Sequence, residues 1–277
     1  MEPLFIERDG HRTWLKWHRA KRRGSDPVFT AARIREGMRI GASVEVDLVV
    51  HAGHGCAVLH DFTLERETTG TGLVRETPPE VLRGFYLRDN TGAPLPDRVL
   101  LLEDLCGLLT GEPPHPEALL QLDLKEERGA ISPAVVAQFG RSLAPVAGNM
   151  IISGGDLVAV RLMAGAVPGL RIGFDPCYGE HLARLRATGD FDGFVAAALD
   201  DAPDADMIYL DYRIVLAAAD AGVDLVAPVH AAGRRVDAWT INRVTPETLA
   251  QVARLLDLRV DQITTDDPEG MIEALGG

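Results

Sequence analysis

With 277 residues, 46% of them apolar, the chain can bury one large core, which excludes a disordered polypeptide. A formal net charge of −13 argues against a nucleic-acid partner, which needs a basic footprint. No stretch approaches the roughly 18 apolar residues of a membrane span, so no transmembrane helix is expected.

The start, MEPLFIERDGHRTWLKW, has acids and lacks an apolar core behind basic residues. It therefore does not read as a secretory leader, and the cytoplasm is the expected compartment. The run WLKWHRA at 14–20 is apolar and aromatic and ends in His18-Arg19, as a first strand would that delivers an imidazole and a guanidinium at its C-terminal end. The basic stretch Lys21-Arg22-Arg23 follows and, with Arg19, is a candidate for offsetting the acidic balance near a site. A helical pattern covers 28–40.

VEVDLVV at 44–50 is the most informative segment. Alternation along a strand puts Glu45 and Asp47 on one face and Val44, Val46 and Leu48 on the other. Two carboxylates side by side on a buried strand repel unless a cation or a proton resolves the conflict. LHD at 59–61 then brings His60, and a hard divalent metal beside an imidazole is the economical reading. The stretch 62–117 is too long and polar for an ordinary connection, and is expected to be a small insertion after the second strand within a single domain spanning 1–277.

ALLQLDLK at 118–125 alternates Leu120, Leu122 and Leu124 against Gln121, Asp123 and Lys125, so a third carboxylate arrives with a cation beside it. Further strand-like runs lie near 149–154, 170–175, 207–212, 235–241 and 261–265, with helical patterns over 132–146, 156–166, 213–222 and 246–257. In TPETLAQVARLL, Thr245 suits the N-cap, Pro246 the first helical position, and Leu249, Val252 and Leu256 form an apolar stripe. Eight strands separated by helices predict a (β/α)8 TIM barrel, whose sites lie at the C-terminal ends of the strands. No P-loop sequence is present. The cysteines Cys56, Cys106 and Cys177 are scattered and read as reduced structural thiols. Asp175 and Asp211, which close strand-like runs, are read as outside the site, and His51, His54, His115, His181 and His230 as surface or helix residues.

The order His-Arg, Glu-x-Asp, His-Asp, acid-x-Lys resembles the glycerophosphodiester phosphodiesterase family. HDFTLERETTGTGLVRETPPEVL at 60–82 is similar to that family's stretch after its second strand, VDAWTIN at 236–242 to its Trp-Thr-x-Asn strand, and DQITTDDPE at 261–269 to its closing Thr-Asp-x-Pro. The resemblance runs from about residue 14 to 270. It implies hydrolysis of a small-molecule glycerophosphodiester to sn-glycerol 3-phosphate and an alcohol. Glu45, Asp47 and Asp123 would hold one divalent cation, Mg²⁺ or Ca²⁺ with Mn²⁺ as a further candidate. Arg19 and Lys125 would meet the phosphate, His18 and His60 would exchange protons with the nucleophile and the leaving oxygen, and Trp239 would line the substrate. The resemblance divides the acid and base roles between the histidines in neither direction. The nucleophile it implies is the substrate's neighbouring hydroxyl, through a cyclic phosphate that water then opens. It further implies that 62–117 covers the catalytic mouth. A phospholipase D-like or sugar-phosphodiester hydrolase on the same site, and a non-catalytic barrel binding phosphodiesters or polyol phosphates, are the alternatives. No stable membrane association is expected, and oligomeric state is not legible.

Three departures stand out. Ala20 replaces the family's glycine after His-Arg and disfavours a positive φ. Val28 and Phe29 stand where a polar Glu-Asn pair is usual. Asp123 is one methylene shorter than the usual glutamate, which predicts altered reach toward a cation.

Overall fold

The computed structural model describes residues 4–276. Eight parallel strands form the barrel: β1 (His11–Trp17), β2 (Ser43–Val50), β3 (Leu119–Leu124), β4 (Met150–Gly154), β5 (Arg171–Phe174), β6 (Met207–Asp211), β7 (Arg235–Ile241) and β8 (Gln262–Thr265). They pair in sequence order, β8 pairs with β1, and Trp17 opposite Val44 closes β1 onto β2. All eight residues of β2 are buried, because one face meets the helices and the other lines the barrel interior. Val44, Val46 and Leu48 join the apolar layer under the helices. Leu119, on the same face of β3 as Gln121 and Asp123, packs with Ile151, Met207 and Tyr209 as a small apolar plug inside the barrel. Above that plug the interior turns polar.

The expected strands appear within a few residues of their sequence patterns. Pro246–Asp257 forms a helix capped by Thr245, whose side chain accepts from the Thr248 N–H. Val252 and Leu256 are buried and Leu249 packs partly buried beside them, as its stripe requires. The expected first helix begins later, at Ala31, because Phe29 adopts a left-handed φ of 59° that no helix can contain. The first strand stops at Trp17, and His18–Ala20 form a tight turn with left-handed backbone instead.

Residues 51–101 make the excursion between β2 and β3. Cys56–Val58 runs antiparallel to the end of β2, and Tyr86–Arg88 pairs with Pro94–Arg98 in a small hairpin. At the hairpin turn the Asn90 amide donates to the Ser25 and Asp26 carbonyls, both at 3.2 Å, and so ties the excursion to the loop after β1. Within the stretch 62–117, Leu102–Gly111 is a helix of the outer ring. Its residues Leu102, Leu105, Cys106 and Leu109 are buried, and the excursion proper ends before it.

His51 corrects a sequence expectation: it is a buried residue at the end of β2, only 3% exposed, rather than a surface or helix residue. Its Nδ1 accepts the Gly53 N–H at 3.1 Å, inside a turn in which His51 N–H donates to the Gly55 carbonyl at 3.0 Å. Burial holds its pKa below the ordinary 6.5, with Arg83 and His54 adding to the effect and Glu103 and Asp104 opposing it. The unfolded chain takes up this proton near pH 6.5, whereas the folded ring resists it. Stability should therefore fall as pH drops below that value and level off below the folded pKa. Urea unfolding at pH 7.5 and 5.5 should show this loss diminished in His51→Gln, and an identical pH dependence in the two proteins would refute it. The other histidines fit the sequence reading, since His54 and His115 are exposed and His181 and His230 lie on helices.

Candidate active site

The C-terminal ends of β2 and β3 bring the three acids together. Register places Asp47 beside Asp123 and Glu45 beside Gln121. One carboxylate oxygen from each of Glu45, Asp47 and Asp123 lies within 4.8 Å of the others. Burial pushes the Glu45 carboxyl well above its ordinary value, and Asp47 and Asp123 push it further. Burial also raises Asp47, but Lys125 and Arg19 outweigh it and hold that carboxyl low. Lys125 Nζ sits 2.7 Å from Asp47 Oδ1 and also bonds Asp123. Arg19 Nε stands 3.3 Å from Asp47 Oδ2, and the Arg19 backbone N–H donates to Glu45 Oε2 at 2.6 Å. Asp47 Oδ2 is buried and accepts no hydrogen bond. An all-oxygen set, one member carrying such an unbonded oxygen, fits a hard divalent cation. Despite its shorter side chain, Asp123 lies close enough to complete the set.

Both sequence-predicted histidines arrive at the same cavity, each with an acid behind it. His18 Nδ1 meets Asp266 Oδ1 at 2.6 Å, and Lys21 Nζ stands 3.4 Å from the other oxygen of Asp266. The His18 bond, with the Lys21 charge, holds the Asp266 carboxyl low against its burial. His60 Nδ1 meets Asp61 Oδ1 at 2.8 Å. Arg66 binds both Asp61 oxygens and is the main reason that this carboxyl drops to about 2. Buried Glu67 accepts the backbone N–H groups of His60 and Asp61 at 2.9 and 3.0 Å, which fixes the loop that carries the ring. With Nδ1 bound to a carboxylate, a neutral imidazole keeps its proton there and presents Nε2 as the acceptor.

The turn that carries His18 overturns the expectation for Ala20. Arg19 and Ala20 both adopt left-handed φ values, 52° and 59°. Such a residue costs on the order of 1–3 kcal/mol and persists only where its surroundings impose it. Here they do: Lys21 N–H donates to the His18 carbonyl, Phe29 N–H to the Arg19 carbonyl, and Ala20 is fully buried. Phe29 is itself buried, filling apolar space next to this turn.

Arg19, Lys125 and Trp239 line the same cavity of about 310 Å³ as the histidines and the acids. Trp239 lies parallel to Tyr178, ring centres 6.0 Å apart, which makes a flat aromatic wall. Asp175 lines the cavity too, contrary to the sequence reading, and burial together with Asp123 pushes its carboxyl well up. Asp211, by contrast, caps the following helix and pairs with Arg213. Of the basic cluster only Arg19 lines the cavity: Lys21 pairs with Asp266, Arg22 with Glu36 and Glu269, and Arg23 with Glu269 and Glu273. Those neighbouring acids, unlinked to the cluster in sequence, absorb the charge. Sequence reasoning missed Asp266, Glu67, Asp175 and the polar floor below the acids. Asp61, adjacent to His60, and Asp266, in the closing Thr-Asp-Asp run, were the available signals.

The cavity opens past His60, Lys125 and Tyr178 into a groove of about 810 Å³. Cys56, Cys106 and Cys177 are all free and buried, as expected. Among the described residues no helix is long and apolar enough to cross a membrane.

No protein-family model matches this sequence, and no curated protein does. Solved structures do match its fold. A protein provisionally named as a glycerophosphoryl diester phosphodiesterase from Silicibacter pomeroyi DSS-3 superposes with a TM-score of 0.72 at 20% identity, over 95% of this chain and 94% of that one. An Oleispira antarctica phosphodiesterase, solved in complex with the product sn-glycerol-3-phosphate, matches with a TM-score of 0.66 at 19% identity, over 95% and 96%. The glycerophosphodiester phosphodiesterase of Thermotoga maritima matches with a TM-score of 0.64 at 17% identity, over 95% and 99%. The fold of this chain is the TIM barrel of those structures.

Proposed function

We propose that this protein is a metal-dependent phosphodiesterase that hydrolyses a glycerophosphodiester to sn-glycerol 3-phosphate and an alcohol. The observation that carries the reading is one cavity in which three clustered carboxylates meet two imidazoles, each imidazole backed by its own acid. The fold it shares with a phosphodiesterase solved with sn-glycerol-3-phosphate supports the same reading.

Glu45, Asp47 and Asp123 would hold Mg²⁺ or Ca²⁺, with Mn²⁺ a further candidate. Such an ion supplies neutralisation of charge on the phosphoryl oxygens. Arg19 and Lys125, held against Asp47 and Asp123, add fixed positive charge facing the phosphate. One histidine accepts the proton of the attacking hydroxyl at Nε2, while the other donates a proton to the departing alkoxide oxygen. Asp266 and Asp61 keep each ring oriented and stabilise its charged form. The attacking group is the glycerol hydroxyl next to the phosphate. Its oxygen bonds to phosphorus as the alcohol leaves, and water then opens the cyclic diester while the histidines exchange roles. Trp239 and Tyr178 give the organic part of the substrate an apolar wall.

The test is release of glycerol 3-phosphate from a panel of glycerophosphodiesters by metal-stripped protein, with Mg²⁺, Ca²⁺ or Mn²⁺ added back separately. Turnover restored by one of these ions is the expected result. Absence of release from every diester, in folded protein that takes up the ion, would refute this reaction.

A further inference from the structure

Beneath the acid cluster the barrel interior is not filled with apolar side chains. Lys16 is 1% exposed, its ammonium 2.8 Å from Asp237 Oδ2 and 4.5 Å from the centre of the Tyr209 ring. Asp237 is fully buried as well, and its other oxygen accepts the Thr264 hydroxyl at 2.6 Å. A buried ion pair contributes little net stability compared with an apolar pair of similar volume, so its presence at the floor calls for another consequence.

That consequence lies in where Lys16 makes its remaining bond. An ammonium has donors and no acceptor, and Lys16 Nζ donates to Gln121 Oε1. This contact orients the Gln121 amide with its NH₂ pointing the other way. Gln121 Nε2 then donates to Ser153 Oγ at 2.8 Å. Having accepted that bond, the Ser153 hydroxyl donates its own proton to Asp123 Oδ1 at 2.8 Å. Every donor in the series is fixed by the one before it. Register supports the geometry, since Asp123 and Ser153 are paired neighbours on β3 and β4.

We propose that Lys16, Gln121 and Ser153 form a one-way hydrogen-bond relay that positions Asp123 as a cation ligand, and that Ser153 is its terminal positioning residue. The inference rests on the reading of Glu45, Asp47 and Asp123 as a cation site. Asp123 has a short side chain with two oxygens. Lys125 binds Oδ2 and Ser153 binds Oδ1, so the carboxylate plane is held from both sides rather than free to rotate. The Ser153 proton occupies one lone pair of Oδ1 and leaves the other free for a cation. Partners that orient a ligand in this way typically change metal affinity by about 10–100-fold when removed.

The experiment is calorimetric titration of metal-stripped protein with Mg²⁺, Ca²⁺ and Mn²⁺ for the parent, Ser153→Ala, Ser153→Thr, Gln121→Glu and Gln121→Glu/Ser153→Ala, with thermal unfolding of each without metal. In Ser153→Ala the affinity of the preferred ion should fall about 10–100-fold, and Ser153→Thr, which keeps the hydroxyl, should restore it. Gln121→Glu accepts from both Lys16 and Ser153, turns the serine proton away from Asp123 and should also weaken binding. The double variant should bind no more weakly than Ser153→Ala, because the glutamine acts only through the serine. Unchanged affinity in a folded Ser153→Ala protein, or losses that simply add in the double variant, would overturn the relay while leaving the cation site standing. Failure of the parent protein to bind any of the three ions would overturn the cation site, and the relay with it.

Discussion

Replacing His60 with alanine is expected to lower kcat by about 10²–10⁴-fold, the usual range for removing a positioned general acid or base. Cation uptake by the carboxylates should survive, because His60 is bonded to Asp61 and not to Glu45, Asp47 or Asp123. His18→Ala should behave alike, and the double variant should lose far less than the product of the two effects, since neither imidazole completes the proton cycle alone. Asp266→Asn and Asp61→Asn should fall between, each leaving its imidazole present but its orientation and charge less well supported. Arg66 holds Asp61 ionised down to about pH 2, so this support persists across the acid range above that value. Steady-state kinetics and calorimetric cation binding on these five variants would check the set. A barrel that only bound phosphodiesters would show no turnover to lose, and intact turnover in His60→Ala would remove this histidine from the mechanism.

Metal removal should destabilise the protein, and the effect should grow with pH. Without a cation, Glu45 is a buried carboxyl beside two others, and its pKa in the fold lies well above the ordinary 4.5. The native state therefore holds this proton more tightly than the unfolded chain, and stability is lost as pH rises from about 4.5 through the folded pKa. Asp47 has the opposite sign, its stabilisation being complete above its ordinary 3.8, so it does not mask the trend at higher pH. A bound divalent cation relieves the repulsion. At 100 times its dissociation constant it adds about 2.7 kcal/mol, or roughly 5–10 °C in Tm for a chain of this size. Thermal scans of chelated and ion-loaded protein at pH 5 and pH 8 should show the larger shift at pH 8. In Glu45→Gln the shift on loading should shrink and the chelated protein should lose less stability with pH. Equal shifts at both pH values would mean that Glu45 does not carry the strain.

Much of this was legible in the sequence because strand periodicity acts residue by residue. The alternation in VEVDLVV and LLQLDL decides which carboxylates face inward whatever surrounds them, and β2 and β3 obey it. The helix Pro246–Asp257 was equally readable, since its cap, first-turn proline and apolar stripe are local. The positive φ at Ala20 was not readable, because the hydrogen bonds and burial that impose it come from the Arg19–Phe29 loop closing on itself and on Glu45.

By itself, the sequence determined the order of strands and helices, the inward acids and the two histidines next to strand ends. Closure of the barrel decided the rest. It brought Asp266 to His18 across 248 positions, spent Lys21, Arg22 and Arg23 on acids from other elements, and buried His51. It also placed Lys16, Gln121, Ser153 and Asp237 in one polar floor. Side-chain pairing between strands distant in sequence depends on register and burial, which no local pattern encodes.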